Sequence, residues 1–358
     1  MTRPLLEVSH LFKSFGGRDG LFRAGRRARV VNDVGFTIGR GETFGLVGES
    51  GSGKSTIGRT ILRLLEPDSG EILFDGQDIA GLSRGDLRRL RRRMQIVFQD
   101  PFSSLDPRVR VGEVLAEPIR LHGLREGAAI EARVDELLET VGLAPHHKTR
   151  WPHEFSGGQR QRIAIARALA VEPDLIVCDE AVSALDVSIQ AQVLNLLARL
   201  RDDLGVSYLF ISHDMSVVRH IADRVGVLYA GRLVETGPVG AVFDRPSHPY
   251  TRMLLAATPS LAGRSRAPAQ DIAGAPPSPF DAVTGCAFAS RCAFASDRCR
   301  TEEPPLDTFQ AEDHRAACWH VAELPPLGPE AAQGDAAMSP AYRRRIDLLR
   351  RAQAGSPA

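Results

Sequence analysis

The stretch Gly48-Glu49-Ser50-Gly51-Ser52-Gly53-Lys54-Ser55-Thr56 constrains this chain more than any other. It fits the pattern G-x-x-x-x-G-K-[ST] and follows an apolar run, Phe44-Gly45-Leu46-Val47. A strand, a glycine-rich turn and a helix in that order make an anion cradle. The glycines let successive backbone N–H groups turn inward, Lys54 reaches terminal phosphates, and the Ser55 hydroxyl suits Mg²⁺. The helix that starts near Lys54 adds its positive N-terminal dipole to the same site. Gly48, Ser50, Gly51, Gly53, Lys54, Ser55 and Thr56 are therefore expected to bind a nucleoside triphosphate. What the nucleotide powers must come from the rest of the chain.

Leu175-Ile176-Val177-Cys178 and Val206-Ser207-Tyr208-Leu209-Phe210-Ile211 are short, apolar runs of the kind found in buried parallel strands. Helical patterns over Val111 to Val141 and Arg160 to Ala170 lie between the strand Met94 to Phe98 and the first of these runs. Such alternation specifies an α/β layered fold with a mostly parallel sheet, whose ligand lies beyond the carboxyl ends of the strands. Residues 5–8 and 30–38 read as further strands, and the arginine-rich insert from Arg18 to Arg29 reads as a solvated loop. The basic run Arg88 to Arg93 reads as a solvated helix face.

Forty-five basic and 44 acidic residues give a formal net charge of +1, so no global field draws this chain to nucleic acid or anionic lipid. The N-terminus turns polar too soon for a secretory signal, and no apolar run approaches the ~20 residues that span a bilayer. The expectation is a cytosolic chain that reaches a membrane only through partners.

Three apolar strands end in polar residues suited to ATP hydrolysis. Asp179-Glu180 offers one carboxylate to Mg²⁺ and a second to orient the attacking water. Ser212-His213 brings an imidazole toward the γ-phosphate, and Phe98-Gln99 an amide that can bind the water or Mg²⁺. Between them, Ser156-Gly157-Gly158-Gln159 at a helix start combines a hydroxyl, unobstructed backbone N–H groups and a helix dipole into a second anion site.

With these motifs in this order, residues 5 to about 245 resemble the ATP-binding cassette ATPases. Phe155 to Gln159 matches the family signature, Asp179 and Glu180 the Walker B pair, and Ser183-Ala184-Leu185-Asp186 the D-loop. Gln99 matches the Q-loop, His213 the switch histidine, and Phe15 the aromatic residue stacked on adenine. The resemblance implies a P-loop NTPase cassette, a RecA-like core with antiparallel β and helical subdomains. It also implies a head-to-tail dimer in which ATP lies between one subunit's phosphate loop and the other's signature, with Asp186 near the nucleotide. One departure is Ala181, where the family usually carries proline; Glu180 thereby loses the restriction a following proline imposes.

More narrowly, Phe98-Gln99-Asp100-Pro101-Phe102-Ser103-Ser104-Leu105-Asp106-Pro107 and Ser247-His248-Pro249-Tyr250-Thr251 resemble the second ATPase subunit of bacterial oligopeptide and dipeptide importers. That likeness implies a homologous second ATPase, two transmembrane permease subunits, an extracellular solute-binding protein acting indirectly, and no nucleic acid. The place implied is the cytoplasmic face of the bacterial inner membrane. The solute stays open among peptide, nickel, glutathione and glycan. The alternative, a soluble ATPase of this fold in DNA repair or translation, usually has coiled-coil or zinc insertions or a second cassette, and this sequence has none of these.

Composition shifts at Arg245-Pro246-Ser247-His248-Pro249, which separates a nucleotide-binding domain (1–245) from a small domain (246–325) and a partly disordered tail (326–358). Tyr342 to Arg351 in that tail is frayed and solvated or a basic amphipathic helix. Cys286, Cys292, Cys299 and Cys318 lie further apart than the C-x₂₋₄-C knuckles of structural zinc. Four thiolates in a reducing compartment suit a [4Fe-4S] cluster, with zinc and free thiols as alternatives. Because the phosphate loop lies in the other domain, loss of Cys299 is expected to spare nucleotide binding.

Overall fold

The computed structural model describes residues 3–19, 23–100, 104–257, 274–281, 283–308 and 313–325. The helix suggested for Tyr342 to Arg351 and the Pro101–Ser103 part of the Phe98–Pro107 motif lie outside them.

Two sheets sandwich the helix that follows the phosphate loop. The smaller is antiparallel: β1 (Leu6–Asp19), β2 (Arg23–Ile38), β4 (Ser69–Phe74) and β5 (Gln77–Asp78), in the order β2-β1-β4-β5. The larger has eight strands in the order β11-β12-β10-β9-β3-β8-β7-β6. Its centre is parallel: β3 (Thr43–Val47), β6 (Met94–Val97), β7 (Leu175–Asp179), β8 (Ser207–Ser212) and β9 (Arg224–Tyr229). β10 (Arg232–Pro238) turns back antiparallel to β9.

The wholly apolar runs are explained by burial on both faces. Leu175 and Val177 of β7, with Leu209 and Ile211 of β8, belong to the core shared with α1 (Lys54–Ile61) and the antiparallel sheet. Their alternates, Ile176, Cys178, Tyr208 and Phe210, belong to the opposite core, with Ile163 and Leu197. Those last two lie on α5 (Gly157–Leu169) and α6 (Val187–Leu204). Period-two geometry sends successive side chains to opposite faces, so a strand covered on both sides has no polar position left. Burial likewise pushes the Cys178 thiol up to about 12, which makes it a core residue and not a reactive one.

Three sequence expectations change here. The described residues of the insert from Arg18 to Arg29, 18–19 and 23–29, are strand and not loop. They extend the β1–β2 pairing, with Ser14 opposite Arg29 and Gly16 opposite Arg27, because two paired strands satisfy each other's backbone whatever the side-chain pattern. The helical pattern from Val111 to Val141 is two helices, α3 (Val111–Leu121) and α4 (Ala128–Thr140), parted at Gly123 and Gly127, both with positive φ. The basic run in α2 (Arg84–Arg93) is only partly solvated: Arg93 bridges Asp75 and Asp174, tying the helix end to both sheets.

The chain beyond 246 packs on the cassette. After α7 (Met215–Ile221), α8 (Val239–Asp244), α9 (Pro249–Ala257) and α10 (Asp297–Thr301), the short strands β11 (Asp307–Thr308) and β12 (Arg315–Ala316) continue the eight-stranded sheet. Ala316 pairs with Glu235 of β10. The fully buried Glu235 carboxylate accepts hydrogen bonds from the Ser247 and His248 backbone N–H groups at 2.7 and 2.9 Å and pairs with His314 Nε2 at 2.8 Å.

Candidate active site

The phosphate loop leaves β3 between backbones that tolerate no side chain. A Cβ on Gly53, at φ +107°, would lie 2.5 Å from the Val30 carbonyl oxygen, and one on Gly48 would lie 2.1 Å from that of Leu228. Lys54 is buried, and its Nζ donates to the Gly48 and Glu49 carbonyls, each at 2.8 Å. Desolvation lowers its pKa, against the pull of Glu180, Asp179 and Glu49. Ser50 and Gly51 line a cleft with Arg29 and Val30, while Thr56 lies in the first turn of α1, its carbonyl accepting from Thr60.

At the carboxyl end of β7, the nearly buried Asp179 accepts a 2.6 Å hydrogen bond from Ser55 Oγ and lies 3.5 Å from the Arg59 guanidinium. Glu180 follows in a left-handed conformation (φ 51°), its N–H donating to Ile211 O of β8 at 3.1 Å. Its carboxylate accepts from Gln99 Nε2 at 3.0 Å and lies 3.5 Å from His213 Nδ1. Residues from β3, β6, β7 and β8 thus meet at one end of the sheet, because neighbouring parallel strands deliver their carboxyl ends to the same edge. Ala181 is buried directly after Glu180, and Ser183 Oγ donates to the Glu180 carbonyl at 2.9 Å.

Ser156 caps α5 in a capping box with Gln159: its Oγ accepts from Gln159 N at 3.3 Å, and its N–H donates to Gln159 Oε1 at 3.0 Å. Gly157 and Gly158 open the helix, and a Cβ on Gly158 would lie 2.3 Å from Ile189 Cγ2. Asp186 caps α6, where the backbone hydrogen bond from Ile189 and that from Ser188 Oγ lower its pKa. Among the described residues, no hydrogen bond or ion pair joins Ser156–Gln159 to the phosphate loop. Phe15 is 40% exposed on β1, with Lys13 Nζ 5.4 Å from its ring centroid.

All four C-terminal cysteines line one small cavity, with His248, Phe288, Trp319 and His320, and none is in a disulfide. The Cys286 N–H donates to Cys299 O at 2.8 Å. Burial pushes Cys286 up to about 11 and Cys318 up to about 12. At Cys299 burial acts the same way, but hydrogen bonds with Ser296 and His320 prevail and lower the pKa. Among the described residues, no group of three or more His, Cys, Asp or Glu side chains is arranged to hold a metal ion. The iron-sulfur and zinc expectations therefore have convergence behind them but no coordination geometry.

Sequence reasoning missed one feature of this site. Glu49, a variable position of the phosphate-loop motif, forms a two-pronged ion pair with Arg291, Nη1–Oε2 and Nη2–Oε1 both at 3.0 Å. Its N–H donates to Tyr250 Oη at 2.8 Å. The available signal was a carboxylate inside an anion-binding loop, which calls for a compensating cation.

The fold and the cluster of Lys54, Ser55, Asp179, Glu180, Gln99 and His213 define an ATPase of the ATP-binding cassette class. Residues 31–183 match the ABC transporter family, and residues 234–299 match the oligopeptide/dipeptide transporter C-terminal region. A protein of Brucella ovis named for peptide import and ATP binding is 52% identical over 315 residues, 88% of this chain and 97% of its own length. The glutathione import ATP-binding protein GsiA of Salmonella paratyphi A is 57% identical over 257 residues, 72% of this chain and 41% of its own. Among solved structures, a dimeric ATP-binding cassette in a post-hydrolysis state with ADP and Pi matches with a TM-score of 0.58 at 29% identity, over 65% of this chain and 98% of that one. The protein cbiO1 of Clostridium perfringens, part of the ABC transporter complex cbiONQ, matches with a TM-score of 0.58 at 30% identity, over 67% of this chain and 90% of that one. The chain belongs to the ATP-binding subunits of oligopeptide/dipeptide-type ABC importers. It is the ATP-hydrolysing motor subunit of such an importer. No helix among its described residues is long and apolar enough to cross a membrane.

Proposed function

We propose that this motor binds MgATP between its own phosphate loop and the Ser156–Gln159 turn of a second cassette, and that Glu180 orients the attacking water. The observation that carries this reading is the meeting of Ser55, Asp179, Glu180, Gln99 and His213 at one sheet edge. Lys54, bonded to loop carbonyls, exchanges them for phosphate oxygens when nucleotide enters. Ser55 and Asp179 would hold Mg²⁺, which would neutralise phosphate charge, and Gln99 would reach the same ion or the water. His213 senses the γ-phosphate from the other side of Glu180, and exposed Phe15 stacks on the base. The exposed N-terminus of α5, uncoupled from its own phosphate loop, supports donation of its anion site to a partner, as does the dimeric cassette it resembles.

The second cassette is a homologous, different ATPase. The pair sits on two permease subunits at the cytoplasmic face of the bacterial inner membrane, fed by an extracellular solute-binding protein. The solute is a peptide or a related small molecule, in line with relatives named for peptide and glutathione import. Cys286, Cys292, Cys299 and Cys318, converging on one cavity, hold a [4Fe-4S] cluster that ties the C-terminal loops together. Iron, sulfide and zinc analysis after anaerobic purification tests that assignment: stoichiometric zinc without sulfide replaces the cluster with a zinc site.

For the motor itself, Glu180→Gln keeps MgATP binding and lowers turnover by about 10²-fold or more, the usual contribution of general acid–base catalysis. It also traps a closed dimer visible by size-exclusion chromatography with ATP. Unchanged turnover removes Glu180 from the water-positioning role.

A further inference from the structure

We propose that Arg291, between Cys286 and Cys292 in the C-terminal segment, is a positioning residue for MgATP binding that holds the phosphate loop through Glu49. The inference rests on the nucleotide site described above and adds a residue from outside the cassette.

Every polar group of Glu49 is engaged, each by a different partner. Its N–H donates to Tyr250 Oη, its carbonyl accepts from Lys54 Nζ, and its carboxylate takes both arms of Arg291. Arg291 is itself held. Its side chain is 8% exposed, Nη1 donates to Tyr229 Oη at 3.3 Å, and its guanidinium carbon lies 5.7 and 5.6 Å from the Tyr229 and Phe288 ring centroids. Tyr229, Tyr250 and Phe288 pack on one another with centroids 4.6 to 5.5 Å apart. Tyr229 ends β9, Tyr250 belongs to α9, and Phe288 lies in the cysteine segment. Two aromatic rings, Tyr229 and Phe288, thus seat one guanidinium, with Tyr250 packed against both, and the planar fork of that guanidinium matches a carboxylate in a way lysine does not.

The consequence for chemistry is electrostatic and geometric together. Glu49 places a negative side chain on the loop that must receive a polyphosphate, and Arg291 neutralises it at contact distance. The same ion pair fixes the backbone of Glu49, whose carbonyl holds Lys54. Loss of Arg291 leaves the carboxylate free to repel phosphate or to capture Lys54, so it weakens MgATP binding more than the chemical step. The cysteine segment is consequently no bystander: it braces the loop through Arg291, a link that the expectation for Cys299 does not address.

The test measures MgATP steady-state kinetics of the full chain, or its importer complex, for wild type, Arg291→Gln, Arg291→Lys, Glu49→Gln and the double Glu49→Gln/Arg291→Gln variant. Thermal melts run alongside. The expected result for Arg291→Gln is a KM about tenfold higher with kcat within twofold, and for Arg291→Lys a partial return toward wild type. The double variant is expected to bind MgATP better than Arg291→Gln alone, because it removes the uncompensated carboxylate. An Arg291→Gln KM within twofold of wild type overturns the proposal. So does equal loss of kcat and KM quality in step with a lowered melt, or a double variant as impaired as the sum of the singles, since each assigns Arg291 a purely structural role. Absence of wild-type turnover would instead count against the nucleotide-site reading itself.

Discussion

Replacing Glu235 with alanine tests whether the C-terminal segment is energetically part of the cassette. Glu235 is fully buried and accepts three hydrogen bonds, from the Ser247 and His248 backbones and from His314. Alanine strands two backbone donors and one buried imidazole where no water replaces the lost partner. An unsatisfied buried donor costs about 1–3 kcal/mol, so three of them would cost about 3–9 kcal/mol if their losses added. Because the three bonds share one carboxylate, the losses do not add in full, and about 4 kcal/mol is the expected destabilisation. At roughly 2–4 °C per kcal/mol for a domain of this size, the melting midpoint falls by about 10 °C. Glu235→Gln keeps one acceptor oxygen and should lose less. Calorimetry gives the midpoint, and limited proteolysis shows where opening starts; the expected first cuts lie after residue 246, the part that Glu235 staples to β10. A Glu235→Ala protein melting within about 2 °C of its parent would refute the reasoning, since it would mean that the staple is replaced at no cost.

Two other perturbations separate binding from architecture. Lys54→Ala removes charge-assisted hydrogen bonds of about 1.5–3 kcal/mol each, so a fluorescent ATP analogue should bind at least about tenfold more weakly; unchanged affinity would take Lys54 out of the phosphate site. Gly158→Ala drives a Cβ against Ile189 and should cost about 1–3 kcal/mol by overpacking, with turnover falling as well. Ile189→Ala in the same chain should restore the melt, and a strictly additive double variant would show that the two residues do not press on each other.

Much of the site is legible in the sequence because its chemistry is local. A phosphate loop needs glycines where backbones touch, a lysine and a hydroxyl at set spacing, and a helix start, and all lie within Gly48 to Thr56. Asp179, Glu180, Gln99 and His213 each follow an apolar strand, and parallel strands bring such endings to one edge without further instruction. The continuous apolar character of β7 and β8 likewise announces burial on both faces.

What tertiary structure alone decides is how distant segments meet. Nothing within Arg18 to Arg29 reveals paired strands, since its strand character comes from pairing across to the other strand and not from side-chain pattern. The two-residue strands β11 and β12 are too short for any periodicity, and they exist because β10 offers an open edge. Glu49 and Arg291 stand 242 positions apart, and each is unremarkable in its own stretch. Only folding, which packs Tyr229, Tyr250 and Phe288 together, turns an acidic loop residue and a basic residue of the cysteine segment into a single buried pair, because charge compensation depends on distance in space and leaves no trace of partner choice in local sequence.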